Sequence, residues 1–167
     1  MAIIIRDKTK CHFCGAVIQA GQEVISFPHF INNELDPLSV FDDGAFHLEC
    51  FNIHPLAEKA QKRYEEILQR NGPANRECVV CKKQITNPDD YVTFGHLTDN
   101  SAAPLHDYNY TQAHSSCLQR WAKLPHVYEL LKDLHLSGSW RGNALETVLL
   151  ELKEAIQNSG AYNVHVD

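Results

Sequence analysis

Apolar residues recur at helical spacing in three stretches of the chain, at 56–73, 126–138 and about 144–158. Apolar residues three and four positions apart share one face of a helix, so each stretch predicts a helix that packs one side against a core. The three apolar faces consist of Leu56, Ala60, Tyr64, Ile67 and Leu68; of Val127, Leu130, Leu131 and Leu134; and of Leu145, Val148, Leu149, Leu152 and Ile156.

Residues at the ends of these stretches predict where the helices begin. Pro55 and Pro125 suit the first position of a helix, where no amide donor is needed. Asn143 and Glu146 have the spacing of a capping box for the third helix. Because that helix has no counterpart in the first half of the chain, we expect it to cover surface that would otherwise be exposed.

Short segments with β-branched and aromatic residues predict strands at 22–27 and 90–94. Further strands are predicted near the two ends of the chain, at 2–6 and 162–166. All of these segments are short. The chain is therefore expected to combine small sheets with helices rather than to build one large sheet.

A duplicated block of sequence lies upstream of the predicted helices. Residues 11–50 align without gaps on residues 78–117, always 67 positions apart, and ten positions are identical. A fixed period of this kind marks a repeated structural unit. The identical pairs are Cys11/Cys78, Cys14/Cys81, Ile18/Ile85, Phe27/Phe94, His29/His96, Asn33/Asn100, Pro37/Pro104, Leu38/Leu105, His47/His114 and Cys50/Cys117.

Each copy contains C-x-x-C followed by H-x-x-C, and together the copies use all six cysteines. C-x-x-C on a tight turn directs two thiolates at one cation, and residues i and i+3 of a helix point the same way. Three sulfurs and one imidazole form a tetrahedral set suited to zinc. We therefore predict two structural zinc ions. The predicted ligands are Cys11, Cys14, His47 and Cys50 for the first and Cys78, Cys81, His114 and Cys117 for the second.

Three other arrangements of these residues are possible. His29 and His96 also match across the repeat, but neither has a cysteine one helical turn away, so we interpret them as structural histidines that donate to a loop carbonyl. Ligation across the two copies would use the same eight residues. A disulfide scaffold would leave the paired histidines unexplained, and thiols stay reduced in the cytoplasm, where this chain is expected.

These features together predict an α+β fold. It would contain two duplicated treble-clef zinc units, each a knuckle, a hairpin and a short helix followed by a packing helix, with an amphipathic helix at the C-terminus. The predicted boundaries are 1–73 for the first unit with its helix, 74–138 for the second, and 139–167 for the C-terminal helix and tail. Trp121 and Trp140 are expected to be core or helix-packing residues rather than a binding platform.

The first copy resembles a known family of zinc fingers. It is similar to the finger of poly(ADP-ribose) polymerase in its order of C-x-x-C, Ile18, Gly21 and H-x-x-C followed by Phe51. LIM-type fingers share the order of the ligands but have a shorter spacer. The resemblance covers 11–51 and, more loosely, 78–118, where Pro88 and Leu118 replace the glycine and the phenylalanine. It implies the same zinc ligands, and it implies recognition of DNA, which the polymerase fingers carry out in tandem.

Charge argues against a nucleic-acid partner. The net charge is −6, and residues 11–50 contain six acidic side chains and no lysine or arginine. Binding to phosphates needs cations that displace counterions. Acidic loops suit a basic protein instead. The candidate patch comprises Asp36, Asp42, Asp43 and Glu49, although these residues could also serve only solubility.

We therefore expect a non-enzymatic protein-interaction module, in which an inhibitor or immunity protein for a basic partner is one example. The alternatives are a DNA- or RNA-binding regulator and, third, a His-metal nuclease using His29, His96 or His106 with a nearby aspartate. No membrane or small-molecule partner is expected, because no apolar run approaches about 20 residues and no phosphate-binding or nucleophile motif is present. With no signal-peptide pattern at its start, the chain is expected in the cytoplasm.

Overall fold

The structure is a computed structural model and describes residues 4–159. Its helices and small antiparallel sheets confirm the predicted α+β class. Within the described residues the chain forms two compact units, one comprising 4–31 and 36–68 and the other comprising 32–35 and 69–159. Each unit has its own hydrophobic core.

The first unit begins with the knuckle, a turn closed by a bridge between Lys10 and Val17. Strand β1 (Val24–Ser26) pairs antiparallel with β2 (Ala45–His47), and a 3-10 turn (Pro37–Phe41) lies between them. Helix α1 (Leu48–Asn52) follows β2 directly. Helix α2 (Ala57–Asn71) comes next, and its last residues, from Gln69, belong to the second unit.

Aromatic side chains fill the core of the first unit. Phe27 lies with its ring centroid 5.6 Å from that of Phe51 and 6.3 Å from that of Phe41. Helix α2 closes this core with Ala57 and Ala60, both buried, and with the ring of Tyr64 placed edge-on to Phe27 at 5.4 Å. Edge-to-face packing of this kind adds to the stabilisation that burial itself provides.

The second unit repeats the arrangement. A bridge between Glu77 and Gln84 closes the knuckle. Strand β3 (Val92–Thr93) pairs antiparallel with β4 (Gln112–Ala113), helix α3 (Ser115–Leu118) follows, and helix α4 (Leu124–Leu136) takes the place that α2 has after the first copy. Three 3-10 turns accompany them at Pro73–Asn75, Pro88–Asp90 and Pro104–Tyr108.

Helix α5 (Ala144–Asn158) packs against α4 and α3 within the second unit. Four residues of the predicted face are buried: Leu145, Val148, Leu152 and Ile156. The fifth, Leu149, is half-buried, and Ala155 is buried although it was not predicted to be. Trp140 is buried, and Trp121 is half-buried against Phe94. Trp140 is therefore a core residue, and Trp121 packs against the same core, as predicted.

Some local predictions were wrong. Pro55 lies in the turn before α2, whereas Pro125 is within the first two positions of α4. Asn143 is the residue before α5, but its side chain makes no capping bond, and its backbone carbonyl accepts from Thr147 instead. Residues 4–6 are not strand, and the predicted strand at 162–166 lies outside the described residues.

The internal repeat is confirmed at the level of backbone hydrogen bonds. Ile18 N donates to Thr9 O at 2.8 Å, and 67 positions later Ile85 N donates to Arg76 O at the same distance. Left-handed backbone also recurs: φ is +71° at Gly15 and +60° at Lys82. None of the helices within 4–159 is both long and apolar enough to cross a bilayer.

Candidate metal centres

Each knuckle directs two sulfurs to the same point. Gly15 N donates to Cys11 O at 2.8 Å, and Lys82 N donates to Cys78 O at 2.9 Å, which closes the two turns. The turn then needs a left-handed residue, a conformation that glycine adopts freely and lysine adopts at a cost of about 1 kcal/mol. The sequence therefore predicted the turn more directly at Gly15 than at Lys82.

The other two donors of each set come from the junction of a strand and a helix. His47 is the last residue of β2, and Cys50 lies in the first turn of α1. His114 follows β4 and precedes α3, which carries Cys117. The hairpin fixes the histidine, and one turn of helix brings the cysteine beside it.

The donor atoms are close enough to share one cation. In each set, the one donor atom from every residue lies within 4.8 Å of the other three. His47 Nδ1 is 3.4 Å from Cys14 Sγ and 3.9 Å from Cys50 Sγ, and the matching distances around His114 Nδ1 are 3.5 and 3.9 Å. A tetrahedral zinc with ordinary bond lengths separates its sulfur and nitrogen ligands by about 3.5 Å. The residues therefore fit a metal ion of this size.

Hydrogen bonds from backbone amides lower the pKa of one cysteine in each set, Cys11 and Cys78, and so favour the thiolate. Burial alone would raise the pKa of Cys11, but amide donors from Cys14, His47 and Phe13 lower that pKa to about 6. His47 N is one of these donors, 3.4 Å from the sulfur. Cys78 has the same environment, and its pKa is also lowered to about 6 against the effect of burial.

In the absence of a cation, the pKa values of the two cysteines on the short helices, Cys50 and Cys117, are raised rather than lowered. Burial, followed by the neighbouring thiols of Cys14 and Cys11, raises the pKa of Cys50 to about 11. Burial also raises the pKa of Cys117, although Arg120 opposes this by donating to Cys117 Sγ at 3.2 Å. Three sulfurs crowded together cannot all carry charge unless a cation compensates them. The donor sets therefore have the chemistry of metal sites.

Hydrogen bonding assigns the nitrogen that His47 would present to a metal. Gln22 Oε1 accepts from Gln19 N at 2.7 Å, which identifies that atom as the amide oxygen. His47 Nε2 lies 3.1 Å from the same oxygen and must donate its proton to it. Nδ1 is then unprotonated and faces the sulfurs. A metal-binding histidine commonly donates its second nitrogen in this way.

All eight predicted residues are brought together, four from each copy, with no exchange between the copies. His29 and His96 belong to neither set. His29 Nδ1 contacts Asp42 Oδ2 at 2.6 Å, and His96 Nε2 is 3.2 Å from Asp99 Oδ1. Their partners are carboxylates rather than the predicted loop carbonyl.

Two of the four residues proposed as an acidic patch have structural roles. Asp36 caps the first 3-10 turn and pairs with Arg63 at 3.2 Å, and that arginine is only 4% exposed. Asp42 accepts hydrogen bonds from two backbone amides. Asp43 and Glu49 are exposed, so they remain candidates for an interaction surface.

Three residues around the sites were missed from the sequence. Arg120 has a readable signal, because it follows Cys117 by one helical turn. Asp90 accepts a hydrogen bond from Ser116 N at 2.8 Å and fixes the start of α3. This hydrogen bond lowers the pKa of Asp90; burial opposes the change, and the hydroxyl of Ser116 contributes to it. Nothing in the spacing points to Gln22, which reaches His47 only through the hairpin.

Comparison with protein-family models, with curated proteins and with solved structures finds no match to this chain.

Proposed function

We propose that the chain is a non-enzymatic protein-interaction module whose two units are each held by a structural zinc ion. The observation that supports zinc is the pair of four-residue donor sets, each with three sulfurs and one imidazole nitrogen. Sulfur and imidazole select zinc over calcium or magnesium, which prefer oxygen ligands.

A structural role follows from the number of ligands. Four protein ligands fill a tetrahedral shell and leave no position for the water that catalytic zinc sites activate. Binding contributes on the order of 10–16 kcal/mol per site by comparison with zinc-finger peptides. That is comparable to the total stability of a small domain. Each unit is therefore expected to fold only with its metal.

The proposed partner is a basic protein, and the first unit offers the surface for it. Glu23 and Glu49 are exposed and line one cavity with His47 and Cys50. A zinc bound to three thiolates adds a formal charge of about −1 beside them. Charges of one sign at a surface speed association with a partner of the opposite sign and exclude nucleic acid. An inhibitor or immunity protein for a basic toxin would have such a surface.

Affinity capture from the native host tests the partner. We compare the zinc-loaded wild-type chain with Glu23→Gln/Glu49→Gln and with Glu58→Gln, a control that removes an exposed charge on α2. We expect a basic protein that binds the wild type and the control but is lost with the double variant. Binding that is unchanged in the double variant, or that disappears on nuclease treatment, would contradict the proposal.

A salt titration separates this function from nucleic-acid binding. Fluorescence anisotropy with nicked and single-stranded DNA is measured between low and physiological salt. Binding through phosphates would be tight and would weaken steeply as salt rises. We expect no binding at physiological salt, and a steep salt slope would favour the nucleic-acid alternative.

A further inference from the structure

We propose that the two metal sites are unequal: the first is an exchangeable site, open to soft ligands and electrophiles, and the second is a permanent one. This inference rests on the proposed zinc function and refines it. The repeat supplies an internal comparison, because each residue around one site has a counterpart 67 positions away.

The ligand cysteines of the two sites differ in exposure. Cys14 is exposed, and Cys50 is half-buried. Their counterparts are better covered, since Cys81 is half-buried and Cys117 is buried with 5% of its surface exposed. A thiolate that solvent reaches can be attacked by an electrophile or displaced by an incoming ligand.

The first site also borders a cavity of about 300 Å³. Its lining includes His47 and Cys50 themselves. In the second unit, helix α5 packs against α3, the helix that carries Cys117. Ser115, at the start of that helix, lines the same cavity as Glu151 of α5. The first copy has no helix corresponding to α5, so α1 lacks this cover.

The residues beside Cys50 and Cys117 also differ, and the difference again leaves the first site less protected. Arg120 donates to Cys117 Sγ at 3.2 Å, whereas its counterpart is Ile53, which is 83% exposed. A charge-assisted hydrogen bond is stronger than a neutral one and holds the sulfur in place. Cys50 has no cationic donor of this kind at the matching position.

The residues that hold the start of the short helix differ between the two copies as well. Asp90 and Ser116 bond to each other through both the backbone amide and the hydroxyl of the serine. Their counterparts in the first copy are Glu23 and Glu49, two acidic residues that cannot hydrogen-bond each other when ionised. The start of α1 is therefore held less firmly than the start of α3.

These differences predict which reagents act on the first site. A soft-donor chelator or the thiolate of a zinc-accepting protein can enter through the cavity and replace Cys50 as a ligand. With iodoacetamide, Cys14 Sγ forms a bond to the reagent carbon and iodide leaves. Both reactions need access to sulfur, which the second site restricts.

Zinc release to 4-(2-pyridylazo)resorcinol tests the inference on the full chain, after metal analysis has established two zincs. We expect two phases of equal amplitude whose rates differ by about tenfold or more, the factor that a charge-assisted hydrogen bond supports. Ile53→Arg should slow the fast phase, and Arg120→Ile should accelerate the slow phase. Ile53→Gln is the uncharged control and should leave the fast phase unchanged.

A pulse of iodoacetamide followed by peptide mass spectrometry identifies the sites independently. We expect Cys14 to be labelled well before Cys81. Two zincs released at one rate, or equal labelling of the two cysteines, would overturn the inference while leaving the proposed function intact. A chain that binds no zinc would instead contradict the proposed function itself.

Discussion

Replacing Asp42 with alanine should destabilise the first unit by about 3–6 kcal/mol. Asp42 Oδ1 accepts from Phe30 N at 2.6 Å and from Ile31 N at 3.0 Å, and both of those residues are buried. A hydrogen bond to a charged group is worth about 1.5–3 kcal/mol, and alanine removes two of them. The contact of Asp42 with His29 adds little, because that imidazole is 68% exposed.

The second repeat provides the matched control. Asn109 occupies the position equivalent to Asp42 and accepts from Leu97 N and Thr98 N in the same way. Asp42→Asn keeps an acceptor for both amides, so it should cost only about 1–2 kcal/mol. Asn109→Asp should cost more than this, because Asn109 Nδ2 donates to Thr98 O at 2.8 Å and a carboxylate cannot.

Native-state hydrogen exchange of the zinc-loaded chain measures this effect, read at the amides of Phe30 and Ile31. Both tryptophans belong to the second unit, so their fluorescence during urea unfolding should not change in Asp42→Ala. The reasoning would be refuted if alanine and asparagine at position 42 accelerated exchange equally, or if neither variant changed it.

Three further predictions concern the sites and the C-terminal helix. Cys50→Ala should reduce bound zinc from two to one and unfold the first unit, whereas Cys117→Ala should unfold the second; a folded, fully loaded variant would contradict structural ligation. His29→Ala should keep two zincs, and metal loss on elemental analysis would revise the ligand set. Burial raises the pKa of Glu151, which disfavours its charged form in the fold. Glu151→Gln should therefore stabilise at pH 7 by roughly a few tenths of a kcal/mol, since solvent screens this half-buried group. That gain should shrink as the pH falls toward the raised pKa of Glu151. A difference in urea midpoint between Glu151→Gln and the wild type that stays the same at all pH values would contradict this prediction.

Ligand spacing and helical periodicity were sufficient to predict the main features of this chain. C-x-x-C and H-x-x-C each constrain side chains that are neighbours along the backbone, so local geometry alone determines where their sulfurs and nitrogens point. The long helices were predicted correctly for a similar reason, because an apolar face of several turns has few alternatives. Residues 57–71, 124–136 and 144–158 form helices as expected.

Features that depend on distant partners could not be predicted. Arg63 is a charged residue on a helix, and only the folded unit shows that it is buried against Asp36, 27 positions away. The role of Asp42 likewise depends on a loop brought to it by the hairpin. The predicted capping box at Asn143 was wrong because its backbone is already helical, with φ −82° and ψ −14°, which turns the side chain away from the amides it would cap.

The metal content of the purified chain is the decisive measurement for two structural zinc ions. Elemental analysis by mass spectrometry, combined with a thiol count under denaturing conditions, gives both quantities on one sample. Two zinc ions and six reduced cysteines per chain are expected. A chain without bound metal, or one whose cysteines are joined in disulfides, would contradict this expectation.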